Sequence, residues 1–76
     1  MIKELDDIIL TSDLPQYGLA KDDIGTVVLV HNDGEGYEVE FTTLDGETLT
    51  VATLPAGYVR PVRSGEIPHA RQLATA

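Results

Sequence analysis

Residues 37–42 alternate without a break. Tyr37, Val39 and Phe41 stand between Glu38, Glu40 and Thr42. Successive side chains on a strand point to opposite faces, so this run makes one apolar face and one acidic, wet face. A helix cannot bury such a set on one side. The run at 47–53 repeats the pattern, with Leu49 and Val51 assigned inward and Thr48 and Thr50 outward. Between the two runs, Asp45-Gly46 reads as a two-residue type I′ hairpin, which needs positive φ at both central residues. The preceding run, Val27-Val28-Leu29-Val30, is apolar on both faces. Such a strand lies between two layers or bends from one sheet into another. We assign Val28 and Val30 to the core, with Val27 covered at the other end.

The flanks extend this meander. Ile8, Ile9 and Leu10 are a β-branched and apolar run that reads as a first strand. Residues 12–23 form a long connection, because Leu14-Pro15 breaks the strand and Pro15 gives no donor. Leu14, Tyr17, Leu19 and Ile24 are spaced to tuck under that loop. Gly25 opens the meander and marks an unusual φ or a close backbone approach. Residues 54–57 are too few for an α-helix and suit one 3₁₀ turn. Tyr58-Val59-Arg60 makes a last short strand, and Pro61 places it at an edge. Strands are thus predicted at 6–11, 25–31, 36–42, 47–53 and 58–61. Ile8, Leu10, Val28, Val30, Val39, Phe41, Leu49 and Val51 form the predicted core. Strand, long loop, three-strand meander, 3₁₀ turn, short strand is the order of an SH3-like barrel. The expected fold class is therefore all-β, a small five-stranded barrel over residues 1–62. Residues 63–76 form a flexible or weakly helical tail, in which Ile67, Ala70, Leu73 and Ala74 fall at helical spacing.

At 76 residues the chain holds one domain at most. With no cysteine it has neither a disulfide staple nor a thiolate metal site. It has no apolar run long enough to span a membrane and no signal-peptide core after Met1, so a cytoplasmic location is expected. Thirteen acids against five bases give a net charge of −8. That surface repels nucleic-acid phosphates and anionic membranes, and it either favours basic partners or simply keeps the protein soluble, which is what surface charge usually does.

A set of short runs resembles a family of small bacterial proteins of unknown function, common in cyanobacteria. They are Met1 to Thr11, Asp13-Leu14-Pro15, Asp22 to Val28, Gly36 to Phe41, Leu54-Pro55-Ala56 and Arg60-Pro61-Val62. The resemblance covers nearly the whole chain. It implies an accessory or immunity (antitoxin-type) partner of a larger bacterial protein. Asp22 stands where the family's pattern leads one to expect a glycine. The Gly25-Thr26-Val27-Val28 run and the strand order also look like KOW-type barrels and the barrel of the nitrile hydratase β subunit. KOW modules that bind RNA are basic, and this chain is acidic.

No residue set commits to catalysis. Ser12, Ser64, His31 and His69 offer no evident nucleophile–base pair. His31, Asn32, Asp33 and Glu35 crowd one loop but lack the full calcium pattern. Glu38 and Glu40 alternate with core residues and so face water, where nothing raises a carboxyl pKa. No cofactor, metal or catalytic residue is expected. A binding surface fits better. SH3-type barrels hold peptides between the first two loops with aromatic side chains. Tyr17 is the predicted anchor, and Leu14, Leu19, Asp22 and Asp23 complete the predicted partner-binding set. Tyr37 and Tyr58 are assigned to core or rim. The expected function is non-enzymatic protein–protein contact. A KOW-like nucleic-acid module is the alternative.

Overall fold

The computed structural model describes residues 1–73. Five antiparallel strands form one sheet: β1 (Asp7–Leu10), β2 (Ile24–His31), β3 (Gly36–Thr42), β4 (Thr48–Pro55) and β5 (Val59–Pro61). Their order is β4-β3-β2-β1-β5. The all-β class and all five strands are as expected, with ends shifted by one or two residues. The 3₁₀ turn expected at 54–57 is present but lies at Ala56–Tyr58, because β4 continues through Pro55, and another occupies Pro15–Tyr17 in the long loop. Among the described residues no helix is long and apolar enough to cross a membrane.

Ile8, Leu10, Val27, Tyr37, Val39, Phe41, Ala52, Leu54 and Val59 form the core with Leu14 and Leu19 of the long loop. Four of the eight predicted core residues, Ile8, Leu10, Val39 and Phe41, are buried, and Val30 packs against them half-buried. Val28, Leu49 and Val51 are a correction: they are 40%, 41% and 49% exposed. Two bulges are the cause. Val27 pairs with Val39 and Leu29 with Glu38, so Val28 is an extra residue. Phe41 pairs with Thr50 and Thr42 with Thr48, so Leu49 is another. A one-residue insertion sends the following side chains to the other face. Before its bulge β2 therefore points Val27 inward. After its own bulge β4 buries Ala52 and Leu54 and turns Val51 outward.

The β3–β4 turn also differs from expectation. Thr43 N–H donates to Glu47 O at 2.8 Å and Gly46 N–H to Thr43 O at 3.0 Å. Gly46 has φ +94°, while Asp45 is not among the residues with positive φ. This is a three-residue loop with glycine in the left-handed position, not a type I′ turn. The Thr43 hydroxyl explains the preference, since it accepts from Glu47 N–H at 3.0 Å and donates to the Asp45 carboxylate.

Gly25 makes the close approach its position suggested. A Cβ there would stand 2.5 Å from Val39 Cγ1. The tail departs from its weak helical spacing. Residues 62–73 contain neither helix nor strand and run back as a strap. Ala74, assigned to that spacing, lies outside the described residues.

Candidate functional site

The long loop folds on itself. Leu14 and Leu19 exchange two backbone hydrogen bonds, at 2.9 and 3.1 Å, and both side chains are buried. Between them Pro15–Tyr17 turns once, and Gly18 closes the turn at φ +70°. Asp13 and Asp23 cap the returning chain by accepting from Lys21 N–H at 2.8 Å and Ala20 N–H at 2.9 Å. Asp22 stands at φ +77°, the left-handed region that favours the glycine expected at that place.

The second 3₁₀ turn, Ala56–Tyr58, joins the long loop to the β2–β3 turn. Thr11 N–H and Oγ1 donate to Tyr58 O and Gly57 O, both at 2.9 Å. Ala56 N–H donates to Glu35 O at 3.0 Å. The long loop, the β2–β3 turn and the second 3₁₀ turn are thus stitched together. Asn32 and Asp33 of the β2–β3 turn have φ of +47° and +57°, and Gly34 and Glu35 N–H both donate to His31 O at 3.0 Å. The residues weighed as a calcium loop therefore make a tight turn. Tyr17 in the long loop and Tyr58 in the second 3₁₀ turn are 40% and 41% exposed, while Tyr37 is buried.

The predicted contact residues separate into three roles. Leu14 and Leu19 are core and support the loop from beneath. Tyr17 and Asp22 face water. Asp23 is occupied by the chain's own Arg71, whose Nε donates to Oδ1 at 2.7 Å and whose second nitrogen donates to Oδ2 at 2.5 Å and to Gly18 O at 3.2 Å. Burial pushes the Asp23 carboxyl up, but the Arg71 hydrogen bonds, the Ala20 amide and the Arg71 charge outweigh it and hold the pKa below the ordinary value.

A second guanidinium fixes the strap's near end. Arg60 donates both terminal nitrogens to Glu66, at 3.0 and 2.7 Å, and Arg63 N–H adds a bond of 2.6 Å. Arg60 and then the Arg63 amide hold the Glu66 pKa down at about 2. Between its two anchors the strap crosses the outer face of the sheet, where Ile9, Val62 and Ile67 line one groove. Ile9 is buried yet lies outside the main core, as alternation along β1 requires. On the same outer face His31 Nε2 lies 2.6 Å from Glu38 Oε2, and Thr53 Oγ1 donates to that oxygen at 3.1 Å. Those bonds lower the Glu38 pKa against a smaller desolvation effect.

Sequence reasoning missed both arginine clamps. Arg60 and Glu66 carried a local signal, the Ser64-Gly65 turn, which folds one back on the other with Gly65 at φ +85°. Arg71 and Asp23 are 48 residues apart, and nothing local joins them.

Residues 4–61 match the family model described as Domain of unknown function (DUF4926). The chain belongs to the DUF4926 family. The match ends at Pro61, so the DUF4926 region is the five-stranded sheet and the strap lies beyond it. None of the curated proteins and none of the solved structures compared with the chain matches it.

Proposed function

We propose that this DUF4926 chain is a non-enzymatic protein-interaction module, built as an SH3-like barrel, that binds a basic partner. The strand order β4-β3-β2-β1-β5 supports the barrel reading. The observation that carries the functional reading is the set of loops stitched together. Two half-exposed tyrosines stand on loops held by backbone hydrogen bonds, with Asp13, Asp33 and Glu35 exposed on the same loops. Aromatic side chains on a rigid scaffold give large contact area for little entropy lost. Surrounding acids select a basic partner and speed encounter. An accessory or immunity-type partner of a larger bacterial protein is the role that fits such a module, and a cytoplasmic setting goes with it.

The experiment is to isolate the protein that co-purifies from the native host and measure its affinity for three forms. They are the wild type, Tyr17→Ala, and the form with Asp22 and Asp23 both changed to Asn. Weaker binding by both variants, and weaker binding as salt rises, is expected. Equal binding by all three at low and high salt would remove the long loop from the interface. Tight RNA or DNA binding at physiological salt would replace the reading with a KOW-like one.

A further inference from the structure

We propose that the Asp23 carboxylate and the Gly18 carbonyl form an arginine-binding site for an extended basic peptide of a partner, and that Arg71 fills it in the free protein. The proposal rests on the interaction-module reading and names a second contact of that module. The acceptors are built before any arginine arrives. Asp23 Oδ2 is aimed by Ala20 N–H, and Asp23 O accepts from Leu10 N–H at 2.9 Å, which ties the residue to β1. The Gly18 carbonyl is presented by the turn at Pro15–Tyr17. A guanidinium meets two carboxylate oxygens and a carbonyl at once, and its planar fork suits that set better than an ammonium does.

The strap behaves as a ligand rather than as part of the sheet. Every residue from 62 to 72 is exposed. Ile67 is 86% exposed. Outside its two arginine anchors little apolar area holds the strap down, so exchange for another segment costs little. The groove beneath it has acids on both walls, Asp22 and Asp23 on one and Asp45 and Glu47 on the other, over apolar Ile24 and Leu49. The strap answers those acids with Arg71, which bonds Asp23. A partner segment carrying more than one cation satisfies more of them, and charge complementarity therefore selects an arginine-bearing basic peptide.

The probe is a synthetic eight-residue peptide with the sequence of residues 66–73, in which the glutamate and the glutamine are replaced by lysine. A control peptide has glutamine in place of the arginine. Full-length wild type, R71Q and R71Q/D23N are titrated, with circular dichroism to confirm folding. The tethered Arg71 competes at a high effective concentration, so R71Q is expected to bind the probe about tenfold or more tightly than wild type. The control peptide and R71Q/D23N are expected to lose that gain. In wild type, the Arg71 Nε–H resonance is expected to move as excess probe displaces it, and this decides the matter if D23N fails to fold. Equal binding by R71Q and wild type, unchanged binding by R71Q/D23N, or an Arg71 resonance that stays put at saturation would overturn the clamp. A clamp that fails while Tyr17→Ala still weakens the native partner leaves the module reading intact. The reverse result leaves the clamp and removes the Tyr17 contact.

Discussion

Gly25 and Val39 are fitted to each other across the β2–β3 seam: a Cβ on Gly25 would stand 2.5 Å from Val39 Cγ1, and 2.8 Å from Phe41 Cε1. Val39 and Phe41 are at most 2% exposed, so neither ring nor methyl has room to retreat. Overpacking of this kind costs about 1–3 kcal/mol. Gly25→Ala is expected to lower the unfolding free energy by that amount, and the denaturation midpoint by that amount divided by m, with the m-value unchanged. A midpoint equal to wild type would show that the seam opens freely.

How much of this was readable beforehand follows from what alternation can carry. β3 has no bulge inside Tyr37 to Phe41, and its predicted core residues Val39 and Phe41 are buried, as is Tyr37, which the sequence assigns only to core or rim. β2 and β4 each carry one extra residue, and a period of two cannot locate an insertion inside an all-apolar or Thr-rich run. That is why alternation names Val28 and Val51 as core. Leu54, which the sequence assigns to the 3₁₀ turn at 54–57, lies in β4. The candidate site divides the same way. The spacing that puts Tyr17 and Ile24 beneath the long loop holds only for Leu14 and Leu19, since Tyr17 and Ile24 are each 40% exposed. Tyr17 was legible as an exposed aromatic of that loop. The Asp23–Arg71 clamp was not, because it joins residues that only the path of the strap brings together.

The bulges make a paired prediction. Phe41 is buried and Val51 is 49% exposed, because Val51 pairs with Glu40, which points to the other face of β3. Phe41→Ala should cost about 3–5 kcal/mol, enough to unfold a domain this small. Val51→Ala should stay within about 0.5 kcal/mol. Thermal melts of the two variants check this. A large loss at Val51 would place the β4 bulge elsewhere.

Asp22 holds φ +77° without a glycine. A left-handed conformation costs an ordinary L-residue about 1–2 kcal/mol, and aspartate somewhat less. Asp22→Val is expected to lose about 1–2 kcal/mol. Asp22→Gly relieves the strain but frees the unfolded chain, so its net gain stays below about 1 kcal/mol. The order Gly at or above Asp, and Asp above Val, is the observable. Val equal to Asp would mean that residue 22 is not left-handed in solution.

Gly46 is the left-handed residue of the β3–β4 loop, at φ +94°. Gly46→Val should destabilise the protein by about 1–2 kcal/mol, since a β-branched side chain resists that conformation. Asp45→Ala separates the observed turn from type I′. Asp45 does not carry positive φ here, so alanine costs only the hydrogen bond from Thr43, about 1 kcal/mol. A loss from Asp45→Ala as large as that from Gly46→Val would restore the type I′ assignment.

The strap's near anchor sets a pH window. Glu66 is held at about 2, against 4.5 for an ordinary glutamate, by Arg60 and then by the Arg63 amide. The folded-state pKa is depressed, so this contribution is fully present above the unfolded value. It is lost as pH falls from 4.5 through about 2. Asp23 is shifted the same way, so both anchors release in acid and neither weakens on the alkaline side of neutrality. Carboxyl ¹³C shifts followed from pH 7 downward should show Glu66 titrating well below the ordinary glutamate value of 4.5. Arg60→Gln should return it towards 4.5, because the largest cause of the shift is then gone. Raising the salt should move the wild-type Glu66 value in the same direction, since the pair is only partly shielded from solvent. A Glu66 that titrates near 4.5 in wild type would mean that the strap is not anchored at Arg60 in solution.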